Sequence, residues 1–235
     1  MPRIAIVIPV YGAAPHLARC LRSIAAQVLG TDVRLAVTVV DDGNVPPLAL
    51  PTLPATLVVS LLRQEHAGAP AARNGGARAT SGELVLFCDA DVELRSDALA
   101  RMLDALAAHP EASYAYSAFR FGWKRFSSFP FDPDRLRTMP YIHTTALIRR
   151  AHFPGFDESL TRFQDWDLWW TMLDAGHPGI YIPEELFRIR TMRGTMSRWL
   201  PAIAHRLPWR VRSVRAYETA RARILAKHAP HQPCG

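Results

Sequence analysis

The feature that most constrains the fold is an exchange of two hydrophobic periods along the first 118 residues. Short β-branched runs at 3–10 (RIAIVIPV), 33–40 (VRLAVTVV), 56–62 (TLVVSLL) and 83–88 (ELVLFC) are nearly continuously apolar. Strands buried on both faces read this way. Helical spacing fills the gaps. After Pro15, Leu17, Leu21, Ile24 and Val28 recur every three or four positions with Arg19 and Arg22 on another face; a second helix is expected from Pro70. A third is expected after Ser96 as its N-cap, with Leu99, Met102, Leu103 and Leu106 as its apolar stripe. The alternation predicts an α/β fold with a mostly parallel central sheet and helices on both faces.

Downstream the pattern loosens. Residues 119–140, rich in Phe, Pro, Arg and Ser without a period, predict a long loop or small excursion over the sheet. Residues 142–148 (IHTTALI) predict a strand, and Leu168, Trp169, Met172 and Leu173 mark a helix that ends near Gly176. Pro201 and Pro208 limit the tail to a short segment and a helix over about 209–228, with Val211, Val214, Tyr217 and Ile224 on one face.

The chain carries 28 Lys and Arg against 21 Asp and Glu, a net charge of +7. Residues 1–187 hold 17 basic and 20 acidic groups, whereas 188–235 hold 11 basic and one acidic, so the body is mildly acidic and the tail is strongly basic. A basic tail suits an acidic partner. The segment Trp199–Lys227 suits peripheral contact with an anionic membrane or a lipid-linked glycan; a solvated helix capping the domain is the alternative. Nucleic acid is not expected, because Trp199, Trp209 and Tyr217 follow no single-strand-binding pattern. Cys20, Cys88 and Cys234 match neither a disulfide framework nor a metal spacing, and no signal peptide or spanning segment is read, so a cytoplasmic, peripherally membrane-associated protein is expected.

Four polar clusters sit where a parallel sheet places its ligands. They are Pro9-Val10-Tyr11-Gly12, Asp41-Asp42-Gly43, Asp89-Ala90-Asp91 and Gln164-Asp165-Trp166-Asp167. Asp89 and Asp91 project to one side of an extended segment, where two hard oxygen donors can converge on magnesium or manganese; the alternative is a turn whose aspartates bond local amides. Asp41 and Asp42 can accept from a base or ribose, with Tyr11 stacking on the base, or simply close a tight turn. Gly75 and Gly76 inside the second helix imply close approach of a backbone or ligand, and Arg73 beside them can pair with a diphosphate or with a surface carboxylate. Asp165 and Asp167 lie about 200° apart around a helix, so one at most faces a given cleft.

Taken in order, IPVYG (8–12), VVDDG (39–43), ARNGGARATSGELVLFCDAD (72–91), LIRRAHFPGFDESL (147–160), QDWDLWWTML (164–173) and FRIRTMRGTMSR (187–198) resemble the family 2 glycosyltransferases of the GT-A fold. The resemblance implies a Rossmann-like GT-A domain over 1–190, with a nucleotide-binding half at 1–118, an acceptor-side half at 119–190 and a basic C-terminal extension at 191–235. It also implies inverting transfer of a hexose from a nucleotide-diphospho-sugar, a UDP-sugar foremost, to a carbohydrate or lipid-linked glycan acceptor in polysaccharide or glycoconjugate synthesis. Pro9, Tyr11, Asp41, Asp42, Arg73 and Asp89 would hold the nucleotide. Asp91 with Asp89 would hold Mn2+ or Mg2+, and Asp165 would be the catalytic base. Trp166 and His143 are expected on the acceptor side. An aspartate at a helix N-terminus is expected to stay ionised and to be a weak base.

This chain departs from the family pattern twice. Gln164 stands where relatives carry glutamate, and Phe187-Arg188-Ile189-Arg190 replaces a stretch that often brings a metal-binding histidine. Arginine cannot ligate a metal, so either the ion is held by Asp91, donor phosphates and water, or Arg190 and Arg193 contact the diphosphate directly. No GxGxxG turn follows the first strand, which argues against a dehydrogenase, and no glycine-rich basic signature there supports a nucleotidyltransferase. A degenerate transferase that only binds a sugar nucleotide is the remaining rival.

Overall fold

A computed structural model describes residues 3–12, 15–190 and 212–229. The strands are β1 (Arg3–Val10), β2 (Arg34–Asp42), β3 (Val59–Gln64), β4 (Leu84–Phe87), β5 (Val92–Leu94), β6 (Tyr114–Phe121), β7 (Lys124–Phe126), β8 (Leu147–Arg149) and β9 (Gly179–Ile189). The helices are α1 (Leu17–Ala25), α2 (Ala69–Ala79), α3 (Ala98–Ala108), α4 (Pro133–Thr138), α5 (Gln164–Asp174) and α6 (Arg212–Lys227).

One sheet runs β3-β2-β1-β4-β8-β6-β9-β5, with β7 hanging from β6. The first four strands pair in parallel, as strand–helix–strand units dictate. Past β4 the sheet turns mixed: β8 is antiparallel to β4 and β6, β9 is parallel to β6, and β5 is antiparallel to β9. Parallel pairing is thus confined largely to the first half. Successive β1 residues feed two cores. Ile4, Ile6 and Ile8 pack with Leu17, Leu21 and Ile24 of α1 and Leu99 and Met102 of α3. Ala5 and Val7 pack on the other face with Ala72 of α2 and Trp166 and Trp169 of α5.

Several boundaries differ from the sequence expectation for local reasons. β2 runs on to Asp42, so both aspartates lie within its register, opposite Arg63 and Gln64 of β3. α3 starts after Asp97 rather than Ser96. The Asp97 carboxylate is held by Arg95, and Gln27 Oε1 accepts the Leu99 N–H across the interface at 3.0 Å. Residues 119–140 contain the end of β6, all of β7 and α4, the last capped by Asp132 accepting from Asp134 and Arg135 N–H. The strand expected at 142–148 shrinks to Leu147–Arg149, and Ile142 instead offers its carbonyl to Trp169 Nε1 at 3.1 Å. β9 carries Pro183 beside a register shift opposite Ser117 and Ala118, where a missing N–H costs no ladder bond.

The described part of the basic tail folds back onto the body. Ile224 of α6 is fully buried, Lys227 reaches Asp157 at 2.7 Å and Asp167 at 2.9 Å, and Arg223 meets Ser159. His228 is stacked on Trp170 and lies 2.9 Å from Asp167 and 3.1 Å from Asp174. Lys227 and His228 are thus matched to acids of the body, as in a helix capping the domain. Residues 191–211, with Arg193, Trp199 and Trp209, and Cys234 lie outside the described residues. Cys20 and Cys88 are free and buried, their Sγ atoms 3.7 Å apart. Among the described residues no helix is long and apolar enough to cross a membrane.

Candidate active site

The C-terminal ends of β1, β2 and β4 and the N-terminus of α5 converge. At the first two, the carboxylates are absorbed by the chain itself. Asp41 accepts from Asn44 N–H at 2.9 Å, Asn44 Nδ2 at 2.5 Å and Leu48 N–H at 3.0 Å. Burial works against its charge, but the Asn44 and Leu48 N–H bonds outweigh it and hold the carboxyl below its usual range. Asn44 in turn ties Val10 O and Gly12 N–H, fixing the end of β1. Asp42 receives Gln64 Nε2, His66 Nδ1, Ala67 N–H and Gly68 N–H, all within 3.0 Å. Both carboxylates are therefore 1% exposed and filled with protein donors, rather than facing outward for a base or ribose. Gly43 permits this closure: its φ is +79°, and an added Cβ would lie 2.7 Å from His66 N. Tyr11, 62% exposed, stacks on His66 at 3.8 Å, while Pro9 is half-buried within β1. The role of His66 was hidden in the sequence, because its partner lies 24 residues upstream.

A buried arginine joins the other two clusters. Arg73 of α2 gives Nη2 to Asp89 at 2.7 Å and Nη1 to Gln164 Oε1 at 2.9 Å, with its guanidinium 5.3 Å from the Phe156 ring centre. Its partner is thus a carboxylate of the site, not one at the surface. Gly76 serves packing and not a ligand, since a Cβ there would lie 2.9 Å from Val40 Cγ2 and collide with Val7. Burial raises the Asp89 carboxyl, but Arg73 and His143 together more than offset it and keep the group low. Asp91 fares differently: burial and then the nearby Asp89 charge push it up to about 6. Asp91 O accepts the Arg190 N–H at 2.9 Å, while the Arg190 side chain pairs with Glu93 at 2.6 Å. The expected Arg190 contact to a diphosphate is therefore occupied by Glu93.

Asp165 and Asp167 part company on α5. Asp165 lines the cleft, its Oδ1 accepting the Trp166 N–H at 2.9 Å, whereas Asp167 is 3% exposed and held by Lys227 and His228. The helix opens from Phe163 in a left-handed conformation, φ +59°, an uncommon state for a bulky residue. Burial raises the Asp165 carboxyl despite the opposing fields of His143 and Arg73, so it is a stronger base than the helix terminus alone would make it. Trp166 corrects an expectation: it is fully buried, with Nε1 donating to Leu136 O at 2.6 Å, and cannot face an acceptor. His143 does reach the cleft, and burial pushes its pKa down.

The cleft encloses about 560 Å³. Arg73, Asp89, Gln164 and Asp165 line one part of it, and Phe119, Phe121, Phe126 and Tyr217 another. Among the described residues no three His, Cys, Asp or Glu side chains are grouped to hold a metal. Half-buried Asp91, with Asp89 committed to Arg73 through one oxygen, fits an ion that takes one or two carboxylates and completes its shell with phosphate and water.

The sheet has the curled mixed α/β architecture of GT-A-like proteins. Staphylococcus aureus TarS 1-349 in complex with UDP-GlcNAc is similar to it, with a TM-score of 0.64 at 16% identity over 96% of this chain and 71% of that one. A mannosyltransferase from Pyrobaculum calidifontis, in complex with GDP-Man and Mn2+, gives 0.63 at 22% identity over 97% and 63%. A pre-mycofactocin glycosyltransferase from Mycobacterium tuberculosis is 29% identical over 198 residues, 74% of this chain and 39% of that protein. This chain thus spans about two fifths of that relative's length. With the family description "Glycosyl transferase family 2" matched over residues 5–164, the carboxylate clusters and the sheet that carries them converge on one assignment: the chain belongs to glycosyl transferase family 2.

Proposed function

We propose that this chain transfers a hexose from a nucleotide-diphospho-sugar, with a UDP-sugar as the expected donor, to an acceptor hydroxyl with inversion at the anomeric carbon. The observation that supports this reading is the Arg73 bridge from Asp89 to Gln164, which ties the end of β4, two residues before Asp91, to the start of α5 beside Asp165. Donor and base then flank a common reacting carbon.

In this reading Asp165 accepts the proton of the attacking hydroxyl, whose oxygen bonds to the anomeric carbon as the bond to the diphosphate breaks and its electron pair leaves with the phosphate. Its desolvation raises its basicity, and general-base help of this kind is worth about 10²–10⁴ in rate. Arg73 holds Asp89 in place and adds fixed positive charge near the leaving group. Asp91, with Asp89, would hold Mn2+ or Mg2+, which as a Lewis acid favours departure of the diphosphate. Pro9 and Tyr11 flank the nucleoside, and Asp41 and Asp42 act indirectly by fixing the Asn44 loop and the turn at 66–68.

The test is a panel of nucleotide sugars with Mn2+, read by nucleoside diphosphate release and by NMR of the product anomer. A UDP-sugar should be consumed with inversion. Donor binding without turnover would favour the degenerate binding protein, and neither binding nor turnover of any donor would remove the reading.

A further inference from the structure

His143 lines the cleft from the segment just before β8, and it is half-buried there. Its ring packs against Phe119 at 5.1 Å and Phe187 at 5.2 Å between ring centres. The Thr145 N–H, two residues on, donates to its Nδ1 at 3.0 Å. A backbone amide can only donate, so Nδ1 is the acceptor and the ring proton resides on Nε2. The same bond argues against His143 replacing the metal-binding histidine that residues 187–190 lack. A metal on Nε2 would require the proton on Nδ1, set against the Thr145 N–H.

His143 Nε2 has no hydrogen-bond partner among the described residues. Its polar neighbours differ. Gln164 accepts from Arg73 Nη1 at 2.9 Å and donates Nε2 to Leu160 O at 3.1 Å, while Arg73 Nη2 is committed to Asp89. The fields of Asp89, Asp165 and Arg73 all reach His143, which therefore borders the space between the donor-side acids and the base. In an inverting transfer that space holds the sugar in transit, its anomeric carbon bonded to the diphosphate on one side and attacked from the other. A sugar lodged there displaces water from Nε2–H, and leaving that donor unmatched costs binding. The oxygen that restores the bond is a hydroxyl of the sugar.

We propose that His143 Nε2–H donates to a hydroxyl of the sugar being transferred, and that this contact helps decide which nucleotide sugar is accepted. The proposal rests on the transferase reading above and adds to it a residue that holds the donor's sugar. A site built around such a bond rejects a sugar that lacks the matching oxygen.

Two substitutions separate the ring's two nitrogens. His143→Asn keeps a side-chain oxygen where Nδ1 stands, so the Thr145 N–H is still received as in an Asx turn, but the Nε2 donor is gone. His143→Gln extends an amide to the Nε2 position and gives up the Thr145 bond. Calorimetry on the full chain with Mn2+ compares UDP-glucose, UDP-GlcNAc and GDP-mannose, each beside its bare nucleoside diphosphate. For the nucleotide sugar bound most tightly, His143→Asn should weaken affinity at least fivefold while the affinity for the nucleoside diphosphate stays within twofold. His143→Gln should recover part of that loss. On the unsubstituted chain, at least one monodeoxy analogue of that sugar should bind at least fivefold more weakly, and the His143→Asn protein should not distinguish that analogue from the parent. Equal weakening of sugar nucleotide and nucleoside diphosphate would overturn the proposal, as would no weakening of either, a change confined to the KM of the acceptor, or indifference of the unsubstituted chain to every monodeoxy analogue. The last measurement decides even if His143→Asn does not fold. An unsubstituted chain that binds no nucleotide sugar would instead bring down the transferase reading, and the proposal with it.

Discussion

Two strand-end regions of the molecule use carboxylates in opposite ways. Around β1 and β2, Asp41 and Asp42 are surrounded by N–H donors and serve as internal braces. Around β4 and α5, desolvation of Asp91 and Asp165 outweighs the N–H groups that reach them, and their pKa values rise. The contrast is repeated within one helix, where Asp167 is matched by Lys227 and His228 while Asp165, two residues away, lines the cleft. A carboxylate satisfied by the fold gives shape; one left short of partners holds the reactivity.

The sharpest way to break that contrast is Asp165→Asn, which should reduce transfer by about 10²–10⁴ while donor affinity, read by calorimetry, is unchanged. Because burial raises the Asp165 carboxyl, wild-type transfer should fall as pH drops through a value above 3.8, the ordinary aspartate position. Next in size, Asp42→Ala strands the Ala67 and Gly68 N–H groups and the Gln64 amide, and should cost about 3 kcal/mol in urea unfolding. If stability is kept and only donor binding is lost, Asp42 touches ligand after all and the comparison fails. Arg73→Lys supplies a point donor that cannot span both Asp89 and Gln164, and transfer should fall about tenfold in steady-state assays.

The smallest effect concerns α6. Burial lowers the His228 pKa, but its bonds to Asp167 and Asp174 outweigh that and raise it above 6.5. A raised histidine stabilises the fold fully below the unfolded pKa of 6.5 and loses that contribution as pH climbs through the folded value. The urea midpoint should therefore fall between pH 6 and pH 9, and His228→Gln should flatten that fall.

Sequence pattern reveals the first half of this molecule far better than the second. The runs at 3–10 and 83–88 are apolar on both faces and read directly as β1 and β4, and the clusters that follow them mark strand ends correctly. β9 is obscured by Pro183 and by two glutamates, Glu184 and Glu185, whose charges are met by Arg95, Arg101 and Arg120 from distant positions. The packed rings of Phe119, Phe121 and Phe126 at the cleft show in the sequence only as a phenylalanine-rich stretch. What stacks two of them is the antiparallel register of Phe119 with Phe126, which no local period encodes. In the same way, the identity of Asp42 is plain, but its occupancy depends on a turn more than twenty residues away.

The folding back of α6 has a practical consequence for anyone shortening this protein. A chain cut after residue 190 would keep every residue of the nucleotide and carboxylate clusters, and a domain boundary drawn from motifs would recommend that cut. It would also strip Lys227 and His228 from Asp167, leaving an anion buried in the helix that presents Asp165. Such a fragment should be prone to loosening at α5 and to losing turnover before it loses the parallel half of its sheet.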